Sequence, residues 1–380
     1  MPDLIGRVRR RMLDEHAGLA DIVQSEAGPI ADDATIASLH ARVAAELHGA
    51  GPLEPVLGLL GVTDVLVNAP DSVWFDRGRG LERSAVSFPD DAAIRRLAQR
   101  LAGSAGRRLD DAMPFVDAAL PDGTRLHAVL PPLVAHPTVS LRVLARQRYG
   151  LADLVSSGAL AEPVAELLRS LVAARLAFVI TGGTGSGKTT LLAAMLGCCD
   201  RAERLIVIED APELAIDHGH LVRLLPKTPN VEGAGQIGPR TLVRNALRMR
   251  PDRLIVGEFR GAEMVDLLVA LNTGHDGGAA TMHANSASDV PARFTALGAL
   301  GGLSRSAVTS LVASAVHVIV HLRRDRRGLR AVDEIAMLHR AGDELVVSTV
   351  WSAGGGRGAG APSLAAFLDS RRCPVPVLVR

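Results

Sequence analysis

The sequence predicts an α/β protein in two parts, a parallel sheet covered on both faces by helices and, before it, a smaller α/β domain. Three observations predict this. From about residue 163 onward, short apolar strand-like runs alternate with helical runs, the pattern of a parallel sheet. A glycine-rich loop stands between one such run and the helix that follows it. At 380 residues, the chain is roughly two to three times the size of one domain, so at least two cores are expected.

Composition narrows the functional classes. With 48% hydrophobic residues and 42 basic against 41 acidic side chains, the chain has no global attraction for nucleic acid, and an anionic ligand must be caught locally. Aromatic residues make up only 3%, which predicts an aliphatic core and few platforms for stacking bases. Nucleic acid is therefore not an expected partner. The basic start at Arg7, Arg9, Arg10 and Arg11 runs straight into Asp14 and Glu15 without an apolar stretch, so it is not read as a secretory signal. The most apolar later run, 307–322, is shorter than the ~18 residues of a membrane helix and carries His317 and His321. A buried helix followed by a strand accounts for it, and the cytoplasm is the expected compartment. Cys198, Cys199 and Cys373 form no C-x-x-C pair and read as small buried apolar residues rather than a zinc site or a disulfide framework.

Element by element, 1–48 reads as a helical segment, with Leu39, Val43 and Leu47 at fourfold spacing. Residues 49–146 read as the smaller domain: strands at 64–68, 73–76 and from Gly80 after a hairpin turn, a helix at 90–105, then strands near Phe115, at 124–129 and at 138–144. Residues 147–162 look like a linker. The larger domain spans 163–352, opening with a helix at 163–175 and closing with strands at 316–321, 331–338 and 344–350 that read as an antiparallel extension. The Gly/Ala-rich run at its end makes 353–380 a flexible tail by composition.

The decisive segment is Gly182, Gly183, Thr184, Gly185, Ser186, Gly187, Lys188 and Thr189, a complete G-x-x-x-x-G-K-[ST], with Thr190 next to it. It lies between a strand ending at Ile180 and a helical run, the context this motif requires. The glycines let the loop turn tightly and aim consecutive backbone N–H groups at phosphates. Lys188 is placed to reach the β- and γ-phosphates and Thr189 to ligate Mg²⁺. ATP and Mg²⁺ are the expected ligands.

Two further apolar runs each end in acid, 204–208 before Glu209 and Asp210, and 254–257 before Glu258. Open α/β sheets place ligand chemistry at such strand ends. One acid can position the attacking water and the other support the metal. The expected division gives Glu209 the water and Glu258 the metal and the γ-phosphate, with the exchanged division open. His275 and His283 are eight apart, which does not fit a short metal pair. A hydrogen bond from His283 to the γ-phosphate or to the water is chemically sensible. Arginines delivered from another domain or subunit can stabilise charge building on the γ-oxygens. Arg125, Arg142, Arg244, Arg248 and Arg250 are candidates by position.

These motifs together resemble the secretion ATPase superfamily, in particular its TadA/CpaF branch of tight-adherence pilus systems. Residues 208–214 are similar to the family's Asp-box, 247–261 to its Walker B region, 273–285 to its His-box, and 109–132 to its nucleotide-capping segment. The resemblance spans about 51–338. Phe259 stands where a smaller aliphatic residue is more usual, and Gly278 replaces a common serine. The tetracysteine motif of some pilus-extension ATPases is missing. What the resemblance implies is a PAS-like N-terminal domain hinged to a RecA-like domain, a homo-hexamer, and ATP between the domains capped by Arg125 and Arg142. Such an ATPase would sit at the inner face of the membrane, act on separate platform proteins, and drive pilus assembly or protein secretion. Two alternatives stand beside it: a DNA-exporting type IV secretion or conjugation motor, and a nucleotide-gated scaffold that binds ATP without appreciable hydrolysis.

Overall fold

The computed structural model describes residues 7, 11, 21–22, 25, 33–78, 80–143, 148–227, 234–325 and 328–380. The chain divides into two units, Met1–Ala145 and Arg146–Arg380.

In the first unit, α1 (Asp33–His48) precedes strands β1 (Asp64–Ala69), β2 (Ser72–Asp76) and β3 (Leu81–Arg83), helix α2 (Asp91–Ser104), and strands β4 (Phe115–Ala119), β5 (Arg125–Val129) and β6 (Thr138–Arg142). The sheet order is β3-β2-β1-β6-β5-β4, so two antiparallel meanders meet at β1 and β6. Each central strand alternates, burying Val65 and Val67, Val73 and Phe75, Leu126 and Ala128, or Val139 and Leu141. That period of two gives the sheet one apolar face, and Ile94, Leu97, Ala98 and Leu101 of α2 are buried in the same core. Asp90 starts α2 by accepting a hydrogen bond from the Ala93 N–H at 2.7 Å, a cap worth about 1 kcal/mol. Of the helical segment expected over 1–48, α1 carries a buried Val43. The Leu39 side chain and most of 1–32 lie outside the described residues.

The second unit is built on a nine-stranded sheet of order β15-β14-β13-β12-β7-β11-β10-β8-β9. Its parallel strands are β7 (Phe178–Gly182), β8 (Leu205–Ile208), β9 (Leu221–Leu224), β10 (Arg253–Val256), β11 (Ala279–Met282) and β12 (Val318–Arg324), and the antiparallel extension is β13 (Arg330–Ala341), β14 (Glu344–Ser352) and β15 (Gly356–Arg357). Every residue of β7, β8, β10 and β11 is buried, because helices cover both faces; such strands read as unbroken apolar runs rather than alternating ones. One face packs Phe178 and Ile180 with Leu167, Leu168, Leu171 and Leu192. The other packs Val179, Ile206 and Leu254 with Leu267, Leu268 and Phe294. In chain order the helices are α3 (Leu151–Ser156), α4 (Glu162–Ala173), α5 (Lys188–Leu196), α6 (Pro239–Ala246), α7 (Glu263–Leu271), α8 (Val290–Leu300), α9 (Arg305–Ala315) and α10 (Ala361–Ser370). The apolar stretch 307–322 is most of α9 followed by β12. Among the described residues no single helix is long and apolar enough to cross a membrane.

Two expectations need correcting. The segment 147–162 is no free linker, since it holds α3 and buries Leu151 and Leu160 in the core of the second unit. The segment 353–380 is no flexible tail. Helix α10 buries Ala361, Leu364 and Leu368, and Val379 joins the same core. Gly358 and Gly360 serve close packing instead of freedom: a Cβ on Gly360 would stand 2.5 Å from the Ser348 carbonyl oxygen. Composition cannot distinguish that use of glycine from looseness. The two departures from the family pattern also find reasons in packing. Buried Phe259 meets Phe294 edge-on, with ring centroids 6.3 Å apart. A side chain on Gly278 would stand 2.8 Å from the Leu254 carbonyl and collide with Leu271.

Candidate nucleotide site

The central strand β7 runs directly into the loop of residues 182–187 and then into α5. Gly182 has φ 149 and Gly187 φ 95, values that L side chains rarely adopt. A Cβ on Gly182 would lie 2.5 Å from the Leu322 carbonyl oxygen and 2.7 Å from Ser186 Oγ. The glycines are thus demanded by turn geometry and by the neighbouring strand alike. Lys188 opens α5 and is buried. Its Nζ donates to the carbonyls of Gly182 at 3.0 Å and Gly183 at 2.9 Å and lies 3.4 Å from His283 Nδ1. Burial pulls the ammonium pKa below the usual lysine range, and the Glu258 carboxylate opposes that pull. The Ser186 hydroxyl is buried without a hydrogen-bond partner, a costly state unless a ligand completes it. A loop shaped this way, with a buried ammonium and an orphaned hydroxyl, fits a polyphosphate and its Mg²⁺. Thr189 is half-buried in the first turn of α5, and Thr184 and Thr190 are exposed.

The ends of β11, β10 and β8, on one side of β7 in the sheet, deliver the other candidates. Glu258 follows β10. Its Oε1 is 2.7 Å from His283 Nε2, and its Oε2 accepts from Arg260 at 2.5 Å (Nη2) and 2.6 Å (Nε). An ammonium can only donate, so His283 accepts from Lys188 at Nδ1 and carries its proton on Nε2, pointed at Glu258. Arg260 also reaches Asp210 Oδ2 at 3.0 Å. The result is one line of polar contacts, Lys188, His283, Glu258, Arg260 and Asp210, with cations at Lys188 and Arg260 and acids at Glu258 and Asp210. The turn between β10 and α7 is held by Glu263, whose Oε1 accepts from the N–H groups of Arg260 and Gly261, both at 2.7 Å.

Glu209, after β8, is placed differently. Its Oε1 accepts from Arg223 Nη1 at 2.6 Å and its Oε2 from the Leu214 N–H at 3.0 Å. Burial pushes its pKa above the ordinary glutamate value, against the Leu214 N–H and Arg223. Gly257 is required here, since a Cβ would come within 2.9 Å of Glu209 Cβ. His275 Nδ1 meets the Ala270 carbonyl at 3.2 Å. Among the described residues no group of three or more His, Cys, Asp or Glu is arranged to hold a metal by itself. Of the three cysteines expected to be buried, Cys199 is, and burial raises its thiol to about 11, whereas Cys198 is exposed and Cys373 half-buried.

Arg125 and Arg142 belong to the first unit, opposite each other in the register of β5 and β6. Arg142 Nε bonds Asp64 Oδ1 at 3.1 Å. Arg244 is paired with Asp266 at 2.8 Å, and Arg248 donates to the Arg244 carbonyl at 3.0 Å. Sequence reasoning passed over Arg260 and Arg223. Arg260 stands two positions beyond Glu258 and was open to suspicion on that ground, whereas Arg223 gives no local signal.

A sheet whose central parallel strand enters a glycine-lined loop around a buried lysine, with acids at the ends of two further parallel strands, defines a P-loop protein of the RecA-like kind. The chain belongs to the type II/IV secretion system protein family, whose sequence profile matches residues 46–345. It is 56% identical over 333 residues to a putative conjugal transfer protein of Mycobacterium tuberculosis, covering 86% of this chain and 95% of that one. It is 32% identical over 281 residues to the probable conjugal transfer protein TrbB of Sinorhizobium fredii, covering 72% and 82%. The fold is shared with the ATPase DotB of Yersinia pseudotuberculosis at a TM-score of 0.55 and 18% identity, covering 78% of this chain and 80% of that structure.

Proposed function

We propose that this chain hydrolyses ATP at the loop of residues 182–190 and works as a homo-hexameric ring motor that powers pilus assembly or protein secretion of the tight-adherence type. The observation that carries the proposal is the Lys188–His283–Glu258–Arg260 line, which links the phosphate loop to a strand-end acid through a histidine. Thr189 and Glu258 would hold Mg²⁺, which neutralises charge on the β- and γ-phosphate oxygens when bound. The chain's own groups do the rest. Lys188 turns its donors from the Gly182 and Gly183 carbonyls to phosphate oxygens. A carboxylate takes the proton of the attacking water, and Glu258 is the better placed, because it joins the line that starts at Lys188 and its side chain is 19% exposed, against 5% for Glu209 sealed on Arg223 and the Leu214 N–H. This moves the water from Glu209, where the sequence expectation put it, to Glu258, which keeps its place beside the metal. His283, bonded on both sides, registers whether lysine and glutamate have moved. Arg125 and Arg142 cap the nucleotide from the N-terminal domain, and the ring sits at the inner face of the membrane on separate platform proteins.

A second proposal, export of DNA in conjugation, is favoured by the names of the relatives at 56% and 32% identity. Both are tested by Mg²⁺-dependent ATP hydrolysis per protomer as protein concentration rises, with and without double-stranded DNA, and with Lys188→Ala as control. A rate that climbs to saturation and ignores DNA supports the secretion motor. Stimulation by DNA supports the conjugation motor. No hydrolysis at any concentration, with nucleotide still bound, leaves a nucleotide-gated scaffold.

A further inference from the structure

Strand β12 runs parallel to β7 with His321 opposite Thr181 and Leu322 opposite Gly182. That register carries the C-terminal end of β12 alongside the phosphate loop, and the turn into β13 begins there. Arg324, the last residue of β12, pairs with Arg330, the first of β13. Arg330 Nε donates to the Gly185 carbonyl at 2.9 Å, and its Cδ lies 3.4 Å from where a Cβ on Gly187 would stand. Arg324 Nη1 lies 3.3 Å from the corresponding point on Gly185. Both side chains are exposed.

Their charge balance sets them apart. The adjacent Arg323 faces Asp333 at 3.0 Å, and Arg223, Arg253 and Arg260 each face a glutamate. Among the described residues Arg324 meets no hydrogen-bond or ion-pair partner, and Arg330 bonds only a carbonyl. Two guanidinium groups without an acidic partner, beside a loop that already holds Lys188, make this corner positive and suit an anion of several charges. The orphaned Ser186 hydroxyl lies in that same loop.

We propose that Arg324 is a further phosphate-binding residue of this site, and that Arg330 is a positioning residue that fixes the Gly185 turn. The ligand is the polyphosphate tail of a nucleoside di- or triphosphate, whose oxygens suit the planar fork of a guanidinium. This rests on the nucleotide site proposed above. The strand register delivers both arginines within the same unit as Lys188, so no neighbouring subunit is needed to bring them.

The test is titration of the full chain with a fluorescent ADP analogue and Mg²⁺ at two salt concentrations, for the parent protein and for Arg324→Ala, Arg324→Lys, Arg330→Ala, Arg323→Ala and Lys188→Ala. Arg324→Ala is expected to weaken binding about tenfold and to flatten its salt dependence, with partial recovery in Arg324→Lys. Arg323→Ala is expected to match the parent. In steady-state ATP turnover by the same variants, Arg330→Ala is expected to raise the KM with kcat near the parent's. Parent-like affinity and salt dependence in Arg324→Ala, with binding lost in Lys188→Ala, overturns the proposal and leaves the loop as the site. Parent-like binding in Lys188→Ala as well overturns the site and the proposal together.

Discussion

Strand β10 carries a glutamate–arginine pair near each of its ends, and the two pairs differ in everything except chemistry. At the start of the strand, Arg253 meets Glu203 at 2.5 Å with side-chain exposures of 2% and 8%. The Val172 carbonyl at 2.9 Å and Arg175 at 2.5 Å close the group. Beyond the other end, Arg260 meets Glu258 at 2.5 Å with exposures of 61% and 19%, and both partners are shared with His283 and Asp210. The first pair is sealed from solvent, with Arg175 and the Val172 carbonyl completing it. The second has neighbours on both sides to exchange with, at the strand end where open sheets bind ligands. Burial turns the same ion pair into a fixture, and partial exposure turns it into a group that can rearrange.

Substitutions break this comparison in order of size. Glu258→Gln keeps the shape and removes the base, so kcat should fall on the order of 10²–10⁴-fold while affinity for an ADP analogue holds; normal turnover sinks the assignment. Glu203→Ala strands the buried Arg253, and urea unfolding should report a loss of about 3–5 kcal/mol, with turnover per folded molecule unchanged. Arg260→Gln removes a pair of the same chemistry at the open end. Stability should change by less than about 1 kcal/mol, yet kcat should drop roughly tenfold because Glu258 loses its fixed orientation. A stability loss as large as that of Glu203→Ala would erase the distinction.

The smallest effect is a pH dependence at two histidines along β12. His317, just before the strand, and His321, near the phosphate loop and 2.9 Å from Thr181 Oγ1, both have pKa values lowered by burial from the ordinary 6.5. Each is neutral in the fold while the unfolded chain takes up a proton. The stabilisation is therefore present above about 6.5 and is lost as pH falls through the lower folded values, with a slope of at most about 1.4 kcal/mol per pH unit per group. Melting temperatures between pH 7.5 and 5.5 should fall, less steeply in His317→Gln or in His321→Gln. Only the latter should also alter nucleotide affinity; equal effects from both would remove the polarity of the sheet from the argument.

The phosphate loop was legible because its requirements are local. Turn glycines, a lysine and a helix start fall within one short run. The acid-ended strands were legible for the same reason, as were the strands and helix of the first unit. Strand β9 and strand β11 were not, because a four-residue apolar run in a loop-rich context carries too little periodicity. Residues 353–380 misled because glycine marks close approach as often as freedom. Arg223, Arg260, Arg324 and Arg330 stood unremarked among 42 basic residues, since one arginine looks like another until its partner is known.

The sequence by itself determined that this chain has a P-loop, that acids follow two of its strands, and that its sheet is covered on both faces. Only the tertiary structure decided which groups face one another. The Lys188–His283 contact closes across 95 residues of chain, and the Arg330–Gly185 bond across 145. Both exist because β11 and β12 flank β7 in the sheet order. A strand's side-chain period is written in its own residues, but its neighbour is chosen by the packing of all the others.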